Sequence, residues 1–538
     1  MTADYLNWLP LLPMLYAETH FTFAGFSLIY RPWPEVICDI PHRLEPDFKL
    51  PMLILVKDAD KYPIILEKAT VCLKSENDDP INQILIDAPI AINHPFWHQM
   101  FILDAELNPG HWQVDFELVI RKKGQAKPYQ FHQDNHPGLS HRPFDLYVSR
   151  VPLPHFDGWI SGDLHTHTCY TSDQVEFGAP LNTVAQMGQC MGLSFCGLTD
   201  HAYDLDNLES NYLQTDPDLK KWKTLWTEAE NIEKQTSFVL IPGEEISVGN
   251  SQGKNCHLLM LNNRQFFSGK GDSAEIWFKT KPTHLIEDVL SQAGKNALVF
   301  AAHPEKRVPL LQHLLLGRGF WRDKDYKHSR LNGLQILNGS LEKAFFAGLE
   351  RWKRLLLQGR RLTVIAGNDA HGNFNRYRQI ALPGLWLEES EDHRFGVART
   401  MVNIEDKIDR ETVIDALQHG SSVITTGPAL DMTIRTEKNI QIGLGSTLNT
   451  RHAAIEVRGK TIPEFGSFTI LRCFSGDYAT RKETCCYELT EFGKTYQFDI
   501  TLKTVRLPEQ GYLRSELWTL KGNQPFCAIS NPIWIDIK

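Results

Sequence analysis

Six short apolar runs in the middle of this chain each end in a histidine or a carboxylate. The first is Gly162-Asp163-Leu164-His165-Thr166-His167, and the last is Ala366-Gly367-Asn368-Asp369-Ala370-His371. Between them come Thr199-Asp200-His201, Pro242-Gly243-Glu244-Glu245, Cys256-His257 and Ala302-His303-Pro304. Runs rich in β-branched and aromatic residues form strands. A fold that places these groups together must therefore bring six strand ends to one point. That requirement limits the architecture more than any other feature of the sequence.

From about Gly158 the rhythm is strand, ligand-bearing loop, helix. Leu181, Val184, Ala185 and Gly188 share one side of a helix over Pro180 to Met191. Asp216-Pro217 predicts an N-cap and first-turn proline for a helix carrying Leu219, Trp222, Leu225, Trp226, Ala229 and Ile232. Further helices are expected over Thr283 to Ala293, Leu341 to Gln358 and Arg410 to His419. Repeated β-α units predict a parallel sheet, and about seven of them predict closure into a barrel. Chemistry then collects at the C-terminal strand ends.

A chain of 538 residues is too long for one ordinary core. The expected class is α/β: a distorted (β/α)7 barrel over residues 151–427, between a β-rich, sandwich-like domain at 1–150 and a β-rich domain at 428–538. The alternation from His111 to Ile120 has the period of a half-buried strand. Asp134 to Pro143 reads as a linker.

Composition excludes several classes of function. A net charge of −9 provides no general basic field for nucleic acid or an anionic membrane. No run approaches the roughly 18 apolar residues of a membrane helix. The apolar stretch from Trp8 to Tyr16 reads as a packed N-terminal segment, and Pro10 and Pro13 make it a poor signal peptide. Ten cysteines lack disulfide or zinc-ribbon spacing, so reduced thiols and a cytoplasmic location are expected.

His165 and His167 lie two apart on an extended segment, which lets both reach one metal ion. Asp369 and His371 repeat that spacing. Glu245 offers a carboxylate able to bridge two ions, and Asp163 is placed to orient a ligand imidazole. His201, His257 and His303 each follow apolar runs, where an unliganded imidazole needs other polar partners. Imidazole and carboxylate donors without thiolates suit Zn, Mn or Fe.

These motifs together resemble the polymerase and histidinol phosphatase (PHP) domain over residues 161–371. Val423-Ile424-Thr425-Thr426-Gly427-Pro428 is similar to the branch named for CehA and McbA. The resemblance implies two or three divalent ions. His165, His167 and Asp369 would hold one, Glu245 would bridge to a second completed by His257 and His303, and Asp173, His201 and His371 would hold a third. Ser172-Asp173-Gln174 departs from the family's Ser-Asp-Gly, and Gly367-Asn368-Asp369 from its Gly-Ser-Asp. Alignment with Gly-x-Glu selects Glu245, with Glu244 as the fallback.

The function this implies is hydrolysis of small-molecule or nucleotide phosphate mono- or diesters by a metal-activated hydroxide. His201, His371 and Asp369 are the candidate catalytic residues. Lys306 and Arg307 follow His303-Pro304, Arg376 and Arg378 follow the Asp369 loop, and Asn338 ends a strand; all five are candidate substrate contacts. Hydrolysis of a carboxyl ester or carbamate is the alternative. A binding protein with a vestigial barrel is the third reading.

Overall fold

The computed structural model describes residues 30–136, 141–172, 177–209, 211–271, 280–308, 313–314, 316–376, 393–451, 453–502 and 507–537, with the backbone alone at 379–382 and 385–388. The Trp8 to Tyr16 stretch, Asp173 and Arg378 lie outside the described residues. The chain divides into two compact units, each assembled from separated segments.

One unit draws on residues 1–152, 168–192 and 370–395. Glu35–Asp39 and Phe96–Ile102 flank Pro51–Lys57 in an antiparallel sheet. A second sheet runs in the order Arg43–Leu44, Phe144–Val148, Gly110–Lys122, Ile64–Lys74, Ile81–Ile86. The alternation predicted from His111 buries Trp112, Val114, Phe116, Leu118 and Ile120 on one face. The start of the expected linker is built into this unit. Asn135 is buried, and its amide accepts from Val36 N at 3.0 Å and donates to Pro34 O at 2.7 Å.

The other unit contains residues 153–167, 193–369 and 396–538. Its strands include β1 (Trp159–His167), β2 (Phe195–Leu198), β3 (Val239–Gly249), β4 (Asn255–Leu261), β5 (Leu298–Ala301), β6 (Gly333–Asn338), β7 (Thr363–Gly367), β8 (Arg399–Asn403) and β9 (Ser422–Thr425). They lie in the order β7-β6-β5-β4-β3-β2-β1-β8-β9, and Gln524–Ser530 continues the sheet beside β9.

This arrangement corrects the expected (β/α)7 barrel. β1, β2 and β3 are parallel, as are β5, β6 and β7, but β4 runs antiparallel to both β3 and β5. β8 is antiparallel to β1 and β9. Strand makes up 44% of the structure and helix 15%, so a TIM-like barrel is not the architecture, and the fold lends no support to the PHP assignment.

The physical cause lies between β3 and β4. A parallel crossover needs a dozen or more residues, and only 250–254 separate these strands. Asn250 Oδ1 accepts from Gln252 N at 2.9 Å and Lys254 N at 3.0 Å, and Gly253 takes φ +72°, closing a hairpin.

Where helices do connect strands, amphipathic patterning places them. Lys220–Gln235 buries Trp222, Leu225, Trp226, Ala229 and Ile232. Asp216 is not its N-cap residue. Leu219 holds that position, while Asp216 accepts from Lys220 N at 3.1 Å. Lys343–Leu357 packs Phe345, Leu349, Trp352, Leu355 and Leu356 into the core that surrounds β6. Among the described residues no helix is long and apolar enough to cross a membrane.

Candidate metal centre

Every residue of β1 from Ser161 to His167 is buried, so the strand brings its imidazoles into the interior of the unit. The two-residue period of an extended strand turns His165 and His167 to the same side. Their ring nitrogens Nε2 lie 3.3 Å apart. The same period separates Glu244 from Glu245 on β3. Glu245 faces the histidines, whereas Glu244 faces away and accepts from Phe267 N at 3.1 Å.

Glu245 is the hub. Its Oε2 lies 3.6 Å from His165 Nε2, 3.5 Å from His167 Nε2 and 3.2 Å from His201 Nδ1. Its Oε1 lies 2.7 Å from His257 Nδ1 and 3.2 Å from His303 Nε2. Asp369 Oδ1 closes the first group, 3.4 Å from His165 Nε2 and 3.2 Å from His167 Nε2. Two sets of donors thus share one carboxylate. In His165, His167, Glu245 and Asp369, and again in Glu245, His257 and His303, the donor atoms lie within 4.8 Å of one another.

Burial alone would raise the Glu245 carboxyl, but His257 and His165 beside it hold it well below the usual carboxylate range. For Asp369, burial is likewise overcome by His165, His167 and Lys306. Burial lowers His165, yet Glu245 and Asp369 leave it raised. Burial carries His303 down to about 4, against the pull of Glu245.

These residues fit a pair of metal ions. Glu245 Oε2 is buried without a hydrogen-bond partner, although three imidazole nitrogens approach within 3.6 Å. A buried carboxylate oxygen in that state costs free energy unless a positive charge faces it. Neutral imidazole and carboxylate together form a donor set for a divalent transition ion.

The surrounding backbone is built for this approach. Asp369 and His303 have φ of 55° and 28°, sparsely populated values for non-glycine residues that cluster at functional sites. A Cβ on Gly367 would lie 2.5 Å from His165 N, so β7 reaches β1 only through a glycine. Asn368 donates to Asp163 Oδ2 at 2.6 Å and Ala398 O at 2.8 Å. That clamp holds the turn carrying Asp369.

Asp163 does not orient an imidazole, contrary to the expectation. It accepts from the backbone nitrogens of His165, Asn368 and Gly396, each at 3.1 Å, and from the Asn368 amide. Burial lifts its carboxyl to about 6 against those bonds. Asp163→Ala would remove four buried hydrogen bonds, leaving the His165 and Gly396 nitrogens without this acceptor, and is expected to destabilise the protein by about 3 kcal/mol or more. The midpoint of denaturant unfolding measures this, and an unchanged midpoint would contradict it.

The orienting contact comes from Gln335 on β6, which the sequence reading missed. Its Oε1 lies 2.8 Å from His165 Nδ1, and its Nε2 donates to Asn338 Oδ1 at 2.9 Å. His201 is near Glu245 and stacks on Tyr203, with ring centroids 4.7 Å apart. Lys306 acts on Asp369, and Arg307 is exposed. His371 and Arg376 belong to the other unit. There His371 N donates to Asn373 Oδ1 at 2.8 Å, and Arg376 acts on Asp39 and Asp134.

No family model matches the chain, and no curated protein matches it. Solved structures give faint likenesses. Dimeric latent PorU from Porphyromonas gingivalis shares 7% identity at a TM-score of 0.15, over 96% of this chain and 35% of that one. A Bacteroides uniformis β-glucuronidase shares 9% at 0.16, over 94% and 61%. Bacteroides uniformis β-glucuronidase 2, covalently bound to cyclophellitol-6-carboxylate aziridine, shares 8% at 0.18, over 95% and 62%. The chain therefore spans less than two thirds of the length of each. Likenesses this slight carry no argument about fold or function.

Proposed function

We propose that this protein is a metal-dependent hydrolase of phosphate esters with a two-ion centre in the β-rich unit. One observation carries the reading: Glu245 divides its two oxygens between two groups of ligands, and Oε2 is buried without a hydrogen bond among three imidazole nitrogens. His165, His167 and Asp369 would hold one ion, with Glu245 shared, and His257 and His303 would hold the other. Divalent ions so placed would activate a water and offset the charge of a phosphoryl oxygen.

The chain's own residues supply the rest. The hydrogen bond to Gln335 Oε1 holds the His165 ring in place. Lys306, whose charge reaches Asp369, supplies the fixed positive charge that favours phosphate over a neutral carbonyl substrate. Asn338 Nδ2 is buried without an acceptor and is a donor available at the end of β6. The substrates expected are small-molecule or nucleotide phosphate esters. All ten cysteines are free thiols, which supports a reducing, cytoplasmic setting.

The test is metal analysis of the purified protein, followed by a panel of phosphomonoesters, phosphodiesters and aryl esters with Zn, Mn and Fe. About two equivalents of metal and turnover of a phosphate ester are expected. Turnover of aryl esters alone would move the substrate class to carboxyl esters. Less than one equivalent, with no rescue by added metal, would end the enzyme reading.

A further inference from the structure

Gln335 is completely buried on β6, between Leu334 and Ile336, which belong to the same apolar core. Burying an amide there is unfavourable unless both of its ends are bonded. Both are, and one of the two bonds reaches a candidate ligand. Oε1 meets His165 Nδ1 at 2.8 Å, and Nε2 donates to Asn338 Oδ1 at 2.9 Å.

Strand geometry makes the second bond informative. Residues three apart in a regular strand point to opposite faces, so Gln335 and Asn338 should not meet. They meet because β6 is irregular here. Gln335 pairs with Ile365 and Leu337 with Ala366 on β7, so two steps along β6 correspond to one step along its neighbour. A β-bulge of this kind re-aims side chains beside functional sites.

In the observed arrangement the nitrogen of the Gln335 amide faces Asn338 and its carbonyl end faces His165. With Nε2 committed to Asn338 Oδ1, the carbonyl oxygen faces the ring. An oxygen can only accept, so His165 Nδ1 carries the hydrogen. Nε2 is then the lone-pair nitrogen, and it faces Asp369 Oδ1 at 3.4 Å and Glu245 Oε2 at 3.6 Å.

We propose that Asn338 and Gln335 form a positioning relay that locks His165 as its Nδ1–H tautomer and thereby sets the metal affinity of the His165, His167 and Asp369 position. This rests on the two-ion reading above. It also gives Asn338 a task distinct from touching substrate. Neither residue is a ligand; both act through the ring of His165. Outer-shell partners of ligating histidines typically contribute 10–100-fold to metal affinity.

The experiment is Co(II) titration of the metal-free full-length protein, followed by ligand-field absorption and checked by elemental analysis, for wild type, Gln335→Leu, Gln335→Glu and Asn338→Ala. Gln335→Leu should weaken one of the two binding steps by about 10–100-fold and leave the other unchanged. Gln335→Glu still presents an acceptor to Nδ1–H and should restore that step. Asn338→Ala frees the amide to turn and should give an intermediate loss. The unchanged second step shows that the variants are folded. If wild type binds two Co(II) and Gln335→Leu binds both equally well, the relay is wrong and the centre stands. If Gln335→Glu is as weak as Gln335→Leu, the orientation argument is wrong. Wild type binding less than one Co(II) would overturn both the centre and the relay.

Discussion

Glu245→Gln is expected to cost the protein both ions at once. Of the two groups that contain Glu245, the other members each belong to one, but the Glu245 carboxylate takes part in both, with Oε1 toward His257 and His303 and Oε2 toward His165, His167 and His201. Glutamine keeps the size of the side chain but has one acceptor oxygen and no charge. Metal content should fall from about two equivalents to below one, and hydrolytic turnover by about a thousandfold or more, since an ion that is not held cannot activate water. The fold should survive. The buried carboxylate is tolerable only with positive charge around it, so the amide is not a worse buried group in the metal-free protein. Asp369→Asn touches one group only and should spare the ion held by His257 and His303. If Glu245→Gln retained two ions, the shared carboxylate would be the wrong centre of this site.

The candidate ligands were legible in the sequence because strand chemistry is local. His165-x-His167 needs nothing but an extended backbone to present two imidazoles together. The choice of Glu245 over Glu244 rests on alignment with Gly-x-Glu, and the strand, whose adjacent residues face opposite ways, turns Glu245 toward the histidines and Glu244 toward Phe267 N. Strand direction was not legible from these runs, because a β-branched segment reads the same in a parallel and an antiparallel pair. The hairpin between β3 and β4 did carry a signal. Gly249, Asn250, Ser251 and Gly253 form a turn cluster between two apolar runs, and that cluster argues against a crossover.

Gln335 escaped for a different reason. In the sequence it is one polar residue inside the run from Leu334 to Leu337, and its function depends on a bulge that no residue type announces. Asn368 was visible only as a departure from a pattern, and the hydrogen bonds that give the departure meaning join segments more than two hundred residues apart.

Chelation should make the stability of the protein depend on pH in a way the metal-loaded form does not. Without ions, the positive charge beside Glu245 is a proton on an imidazole, Asp369 has Lys306 besides, and His165 is raised by those two carboxylates against the effect of burial. A histidine with a raised folded pKa contributes stability fully below its unfolded value, near 6.5, and loses it as pH rises through the folded value. Glu245 and Asp369 are held well below the ordinary range, so their contribution is present above about 4.5 and is lost only as pH falls through their folded values. The contribution of His165, Glu245 and Asp369 to the metal-free protein is therefore largest between about pH 4.5 and 6.5 and falls above that window. With ions bound the sign reverses, because metal and proton compete for the same nitrogens and binding strengthens as protons leave. At free metal a thousandfold above Kd each ion adds about 4 kcal/mol. Thermal unfolding with and without chelator at pH 6 and pH 8 measures both effects, and the gap between the two forms should be wider at pH 8. A gap that narrows with pH would mean that the imidazoles around Glu245 are not exchanging protons for metal.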